Sequence, residues 1–306
     1  MIKSLQRRLF IDFVDFYLYT TKMTLNIVCT SKPVDGLLYY SYEYCSYLNS
    51  LGISAKLIII CHRRFPKDTY ISAITKKYIH FENVIFDEYV PSFDDVTLIM
   101  GRSMMSLSWQ AFGYYTASQQ DALRWLFVGN VISVYSENHN DDYAKAIDFY
   151  SPNRIIDLCD TEVYLNGQGD HFEKRINFEI YKPHVDSIQF KYLFQGTNDK
   201  YYATAQKFID QFTNYGILTY NDKYVNIKNN NVFAPVENLL GIFDTYVYVK
   251  ETFDPAPRII QECKYFGKGL IYLRDESIHD GGSVYYKRDI KELDVTPILN
   301  AIEKLK

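Results

Sequence analysis

DTYVYVKETFDPAPRIIQECKYFGKGLIYLRD, residues 244–275, is the stretch on which the fold turns. TYVYVK (245–250) is a short apolar and aromatic run, which reads as a strand. A polar loop follows Lys250, and a helix starts near Pro255–Pro257. Proline suits a first helical turn, because its missing N–H would have no helical partner there anyway. Gly267 ends the helix, and GLIYLR (269–274) is a second apolar strand. Two continuously apolar strands joined by a helix form a βαβ unit, whose parallel sheet is buried on both faces.

The same rhythm extends outward. Toward the N-terminus, FKYLFQG (190–196) and ILTY (217–220) read as strands. Residues 199–215 read as an amphipathic helix with Tyr202, Ala205, Phe208, Ile209 and Phe212 inward, and 235–242 as a further helix. A first series precedes it: LNIVCTS (25–31), AKLIIIC (55–61), NVIF (83–86), VTLIMG (96–101), VISVYS (131–136) and RIIDLC (154–159). Residues 35–51 carry Leu37, Leu38, Tyr42, Cys45, Leu48 and Leu51 at helical spacing, with Gly52 as a C-cap. Segments 117–128 and 141–150 are helical, and 295–305 is a final helix able to return to the first series. The expected fold is α/β, two Rossmann-like lobes with parallel sheets facing a central cleft. The expected parts are an N-terminal extension (1–22), a first lobe (23–185), a second lobe (186–290) and a C-terminal helix (291–306).

Composition narrows the function. The 306 residues hold 33 Lys+Arg and 37 Asp+Glu, a formal charge of −4, which excludes binding to nucleic acid by bulk charge. Hydrophobic residues are 47% of the chain, enough for a large core. Five scattered cysteines (Cys29, Cys45, Cys61, Cys159, Cys263) form no CxxC or Cys/His pattern. They argue against a disulfide scaffold and a structural zinc site, and for a reducing, cytoplasmic compartment. No run of about 20 uncharged apolar residues suggests a transmembrane helix. In residues 1–22, FIDFVDFYLY follows two arginines, but Asp12 and Asp15 interrupt the apolar part and no small-residue cleavage site follows. An extra helix or extension is expected there, with a membrane-surface helix as the minor alternative. The 29 Tyr and 20 Phe reflect AT-rich codon usage, or rings that stack on sugars and bases.

Residues 244–275 also resemble a family. Many glycosyltransferases of the GT-B fold bind a nucleotide sugar through an acidic-x7-Glu element in the second lobe. Asp254 and Glu262 have that spacing, and Gly267 and LIYL follow in the matching order. The resemblance implies that Glu262 accepts hydrogen bonds from the donor's ribose hydroxyls, while Asp254 and its loop face the sugar and diphosphate. The helix start and Arg258 would neutralise the diphosphate. No metal or bound cofactor is required, and the donor, by expectation a UDP-sugar, is a substrate. Two departures stand out. Asp254 is one methylene shorter than the usual Glu, and Cys263, Lys264 and Tyr265 replace the usual small residues.

Other candidates lie after strands, where open α/β sheets bind ligands. Asp35, in the loop KPVDG (32–36), is either a general base or a helix N-cap. Glu137 and His139, in SENH (136–139), are candidate bases or members of a polar loop capped by Asn140 or Asp141. SENH loosely resembles the His/Asp-rich loop of tailed-phage DNA glucosyltransferases. That likeness implies 5-hydroxymethylcytosine in double-stranded DNA as acceptor, with the host cytoplasm as location and either a glucosyl or an arabinosyl donor. Arg63 and Arg64, in HRRF (62–65), and Arg102 would meet DNA phosphates, or else form surface contacts and ion pairs. Gly281 and Gly282, in HDGGSVYY (279–286), line the donor or form a turn. A surface-polysaccharide glycosyltransferase and a non-catalytic nucleotide- or DNA-binding protein are the alternatives. A dinucleotide-dependent dehydrogenase is disfavoured, because no GxGxxG follows LNIVCTS. The sequence fixes neither sugar, stereochemistry nor oligomeric state.

Overall fold

The computed structural model describes residues 23–33, 35–92, 94–107, 113–135, 141–159, 170–196, 199–219, 231–233, 239–250, 258–274 and 290–305. The chain divides into two compact units. Met1–Tyr70, Phe81–Asn177 and Leu293–Lys306 form the first, and Ile71–His80 with Phe178–Glu292 the second.

In the first unit, strands β1 (Leu25–Cys29), β2 (Ala55–Ile59), β3 (Val84–Phe86), β4 (Val96–Ile99), β5 (Asn130–Tyr135), β6 (Arg154–Cys159) and β7 (Asp170–His171) form one sheet. Its order is β3-β2-β1-β4-β5-β6-β7, with every pairing parallel. The first six strands have the doubly wound Rossmann order, whose direction reverses between β1 and β4. Every residue of β1 and β4 is buried, as expected for strands covered on both faces.

Helix α1 (Gly36–Ser50) starts at Asp35, whose carboxylate accepts the Leu37 N–H at 2.9 Å. It ends at Gly52, whose φ of 81° glycine adopts without strain. The helix is buried more widely than its apolar spacing suggests: Tyr40, Ser41, Glu43 and Tyr44 are buried with Leu38, Tyr42, Cys45 and Leu48. Leu51, expected inward, is exposed because it lies past the last turn. Helix α2 (Lys67–Lys77) spans the division between units. Helices α3 (Ala117–Val128) and α4 (Asp141–Tyr150) match the expected bounds. The first opens with a capping box between Thr116 and Gln119.

In the second unit, β8 (Phe190–Gln195), β9 (Tyr215–Thr219), β10 (Asn231–Phe233), β11 (Phe243–Lys250) and β12 (Gly269–Arg274) pair in the order β10-β9-β8-β11-β12. All are parallel. This repeats the first unit's order, with its reversal between β8 and β11. Alternation along the strands splits the core between the two faces. Leu193, Leu218, Tyr246 and Tyr248 pack with Ile260 and Cys263 of helix α6 (Arg258–Tyr265). Phe194, Ile217, Val247 and Val249 pack with Tyr202 and Ala205 of helix α5 (Asp199–Phe208). The expected helix 199–215 is shorter: α5 gives way to a 3-10 turn at Ile209–Gln211. Within 235–242 the described structure is a 3-10 turn at Leu239–Gly241.

Helix α7 (Thr296–Leu305) belongs to the first unit, where Arg154 of β6 donates to the Leu305 carbonyl at 2.8 Å. None of the five cysteines forms a disulfide, and all are buried. Among the described residues, no helix is long and apolar enough to cross a membrane.

Candidate functional site

Each unit presents a carboxylate beside the element where its sheet reverses direction, and the two environments differ.

In the first unit, β1 leads into Thr30–Asp35, and β4 leads into a 3-10 turn at Arg102–Met105. Hydrogen bonds tie these loops together. Thr30 Oγ1 donates to the Met104 carbonyl at 2.9 Å, and Tyr115 Oη donates to the Thr30 carbonyl at 3.0 Å. Tyr70 Oη donates to the Ser31 carbonyl at 3.1 Å and accepts the His62 N–H at 3.0 Å. Asp35 sits half-buried on this rigid rim. It is the N-cap of α1, so one of the two sequence readings is met directly. Burial pushes its carboxyl above the usual range, and the Leu37 N–H, Lys174 and Lys32 offset only part of that. A carboxylate whose pKa is raised holds a proton more tightly than a free one.

His62, tied to the Ser31 loop through Tyr70, is buried after β2. Its Nδ1 accepts the Arg64 N–H at 3.2 Å, so the neutral ring carries its proton on Nε2. Burial, then Arg64 and Lys32, lower its pKa. Its ring lies 4.4 Å from that of Tyr114. The side chains of Arg63 and Arg64 are exposed. The Arg64 guanidinium lies over the Tyr114 ring at 5.4 Å, and the Arg63 N–H donates to the Tyr114 carbonyl at 2.9 Å. Arg102 is only 9% exposed. It pairs with Asp157 of β6 at 2.7 Å and lies 4.1 Å from the Tyr143 ring, while Tyr143 donates to Asp157 at 3.0 Å. The ion-pair reading therefore describes Arg102, and the exposed reading describes Arg63 and Arg64.

In the second unit, Glu262 lies one turn beyond Arg258 on α6 and is 3% exposed. Its Oε1 accepts from Lys77 Nζ at 2.7 Å, Arg258 Nε at 2.7 Å and Tyr181 Oη at 2.8 Å. Arg258, 7% exposed, also donates to Tyr181 and, at 3.4 Å, to Tyr78. The Tyr78 and Tyr181 rings meet edge-on at 5.2 Å. A short antiparallel bridge brings these side chains together. Ile79 N–H donates to the Ile180 carbonyl and Lys182 N–H to the Lys77 carbonyl, both at 2.9 Å. Burial alone would raise the Glu262 carboxyl, but Lys77 and Arg258 outweigh it and hold the pKa below the usual range. Glu262 is thus a fixed carboxylate whose Oε1 is occupied by side chains of its own unit. Gly267, at φ 69°, ends α6 as expected, with Lys268 N–H donating to the Cys263 carbonyl at 2.8 Å.

Glu137, His139, Asp254, Gly281 and Gly282 lie outside the described residues, as do Tyr285 and Tyr286. Sequence reasoning missed Lys77 and Tyr181, which stand 185 and 81 positions from Glu262. No local motif marks them; only the return of residues 71–80 to the second unit does.

The two strand orders define the class: an α/β protein built of two Rossmann-like units. No family model matches the chain, and no curated protein matches it. Among solved structures, it is similar to the apo form of the lipopolysaccharide outer core galactosyltransferase WaaB. The TM-score is 0.38 at 10% sequence identity, covering 92% of this chain and 95% of that one. The fold assignment rests on the strand orders themselves.

Proposed function

We propose that the protein transfers a sugar from a nucleotide-sugar donor to an acceptor hydroxyl. The observation that carries this reading is the repeated Rossmann order, and Asp35, on the reversal loop of the first unit, is the base we propose for it. In this reading Asp35 takes the acceptor's hydroxyl proton. The acceptor oxygen bonds to the sugar carbon, and the sugar–phosphate bond breaks to release a nucleoside diphosphate. The second unit binds the nucleotide, by proposal a uridine diphosphate, near the end of β11 and the start of α6. Glu262 contributes there by holding Arg258 in place. Asp254, Gly281 and Gly282 keep their proposed donor roles, and Glu137 and His139 are further candidate bases.

The finer reading names 5-hydroxymethylcytosine in double-stranded DNA as the acceptor. What supports it is the exposed pair Arg63 and Arg64 beside Tyr114, where charge and a ring meet. With a chain charge of −4, such binding would depend on these local cations and weaken as salt rises.

The test is nucleotide release from UDP-, GDP- and ADP-sugars, run with hydroxymethylated duplex DNA or with oligosaccharide acceptors. The reading expects release with one donor, lost in Asp35→Asn. That donor, at about 100 times its dissociation constant, should also stabilise the fold by about 2.7 kcal/mol. Neither release nor stabilisation with any donor would refute it.

A further inference from the structure

On the first unit, α3 and α4 enclose an open groove of about 530 Å³, lined by Asp121, Arg124, Trp125, Val128, Phe149 and Tyr150. That volume lies within the usual range for small-ligand sites. The four α3 residues fall at i, i+3, i+4 and i+7, which makes one stripe along the helix. The buried face of α3 is a different one, formed by Gln119, Ala122, Leu123, Leu126 and Phe127. The groove stripe therefore adds nothing to the core and leaves large apolar groups in water. Trp125 is 56% exposed, Phe149 49% and Val128 44%. Tyr150, almost fully buried, forms the base, with its ring edge-on to Phe127 at 4.9 Å and to Phe149 at 5.1 Å. Arg124 stands at the edge, 3.5 Å from Asp121 and 5.6 Å from the Phe149 ring.

We infer that this groove binds a neutral oligosaccharide. A sugar ring has an apolar face of C–H groups and a perimeter of hydroxyls. The indole and phenyl faces match the first. The Asp121 carboxylate and Arg124 guanidinium supply acceptors and donors for the second. Charge selects among occupants, because the lining holds one carboxylate and one guanidinium and sums to zero. A polyanion meets no surplus cation there, and an acyl chain would have to strip water from the exposed Asp121–Arg124 pair while making no hydrogen bond to it. The groove opens near the C-terminal ends of α3 and α4, just before β5 and β6 begin. Asp35 and the reversal loops follow the carboxyl ends of strands. The groove is therefore a holding site on the other rim of the same sheet, separate from any reacting centre. It goes beyond the sugar-transfer reading and does not depend on it.

The test is calorimetric titration of the full chain with maltohexaose, cellohexaose and chitohexaose, alongside Trp125→Ala and Phe149→Ala. Both side chains are exposed, so these variants should keep the wild-type melting temperature. Saturable binding of at least one sugar is expected, weakened at least about tenfold by either substitution. Nucleotide release without an acceptor should not change, which separates this site from the transfer site. Three results would overturn the proposal: no saturable binding of any of the three sugars, binding that survives Trp125→Ala, or a Trp125-dependent association with phosphatidylglycerol vesicles or with a second copy of the chain in place of sugar binding.

Discussion

Asp35, at the start of the helix after β1, and Glu262, within the helix after β11, are two carboxylates with opposite surroundings. Asp35 caps a helix on the rim of the first sheet, half-buried, and burial raises its pKa. Glu262 is buried within the second unit, but two cations and a phenol converge on one of its oxygens and its pKa is lowered. Burial raises both; the nearby charges of Lys77 and Arg258 outweigh it at Glu262, whereas the Leu37 N–H, Lys174 and Lys32 offset only part of it at Asp35. Asp35 therefore holds a proton more tightly than a free aspartate, while Glu262 is a fixed charge that organises its neighbours.

The largest expected effect comes from breaking the second environment. Glu262→Ala leaves buried Arg258 and partly buried Lys77 without their shared counter-charge, a loss of about 3–5 kcal/mol in denaturant unfolding. Lys77→Met, which leaves the Arg258 pair in place, should lose less. Equal losses would mean that the two contacts to Oε1 do not act separately. Asp35→Asn sharpens the comparison from the other side. Asparagine still caps a helix and carries no charge to desolvate, so the folded chain should be at least as stable near neutral pH. If Asp35 is the base, turnover should fall about 10²–10⁴-fold. A fall in stability with unchanged turnover would make Asp35 a cap alone.

The pH dependence of stability should separate the pair by sign. Glu262 has a lowered pKa in the folded state, so its contribution is present above the ordinary glutamate range. It is lost as pH falls through the folded value. Asp35 has a raised pKa, so between the ordinary aspartate value and its folded value the native chain holds a proton that the unfolded chain has released. Stability therefore falls as pH rises through that window. Glu262→Gln should flatten the acid limb, and Asp35→Asn should remove the opposing slope, both read by thermal unfolding across pH.

Smaller effects probe the scaffold and the surface. At Gly196, just after β8, an added Cβ would lie 2.4 Å from Ile217 Cγ2 and 3.2 Å from the Leu218 carbonyl oxygen. Gly196→Ala should cost about 1–3 kcal/mol by overpacking, measured by denaturant unfolding. Arg63→Ser and Arg64→Ser remove exposed charges and should shift stability by less than about 0.5 kcal/mol. If DNA is the acceptor, each should lower the salt slope of binding by about one.

The elements were legible where local pattern sets them. Residues 117–128 and 141–150 carry enough helical periodicity to fix their bounds, and 154–159 and 269–274 enough apolar continuity to fix theirs. Strand β7 was not legible, because Asp170 and His171 are exposed and pair only with the end of β6. Nor was β10, a three-residue strand between a polar run and Pro235. The acidic-x7-Glu spacing drew attention to Glu262, but its donors were hidden. Lys77 lies at the end of α2, 185 positions from Glu262, and only the fold brings it to the carboxylate. For Arg102, the partner Asp157 lies 55 positions away on another strand, beyond any local pattern.

The contrast between the two carboxylates is most directly tested by carbon-13 NMR titration of their side-chain carboxyl carbons. We expect Asp35 to titrate above the ordinary aspartate range and Glu262 below the ordinary glutamate range, with Asp35→Asn and Glu262→Gln assigning the signals. If Asp35 titrated at or below the ordinary value, or Glu262 above it, the division into a proton-accepting and a fixed carboxylate would be contradicted.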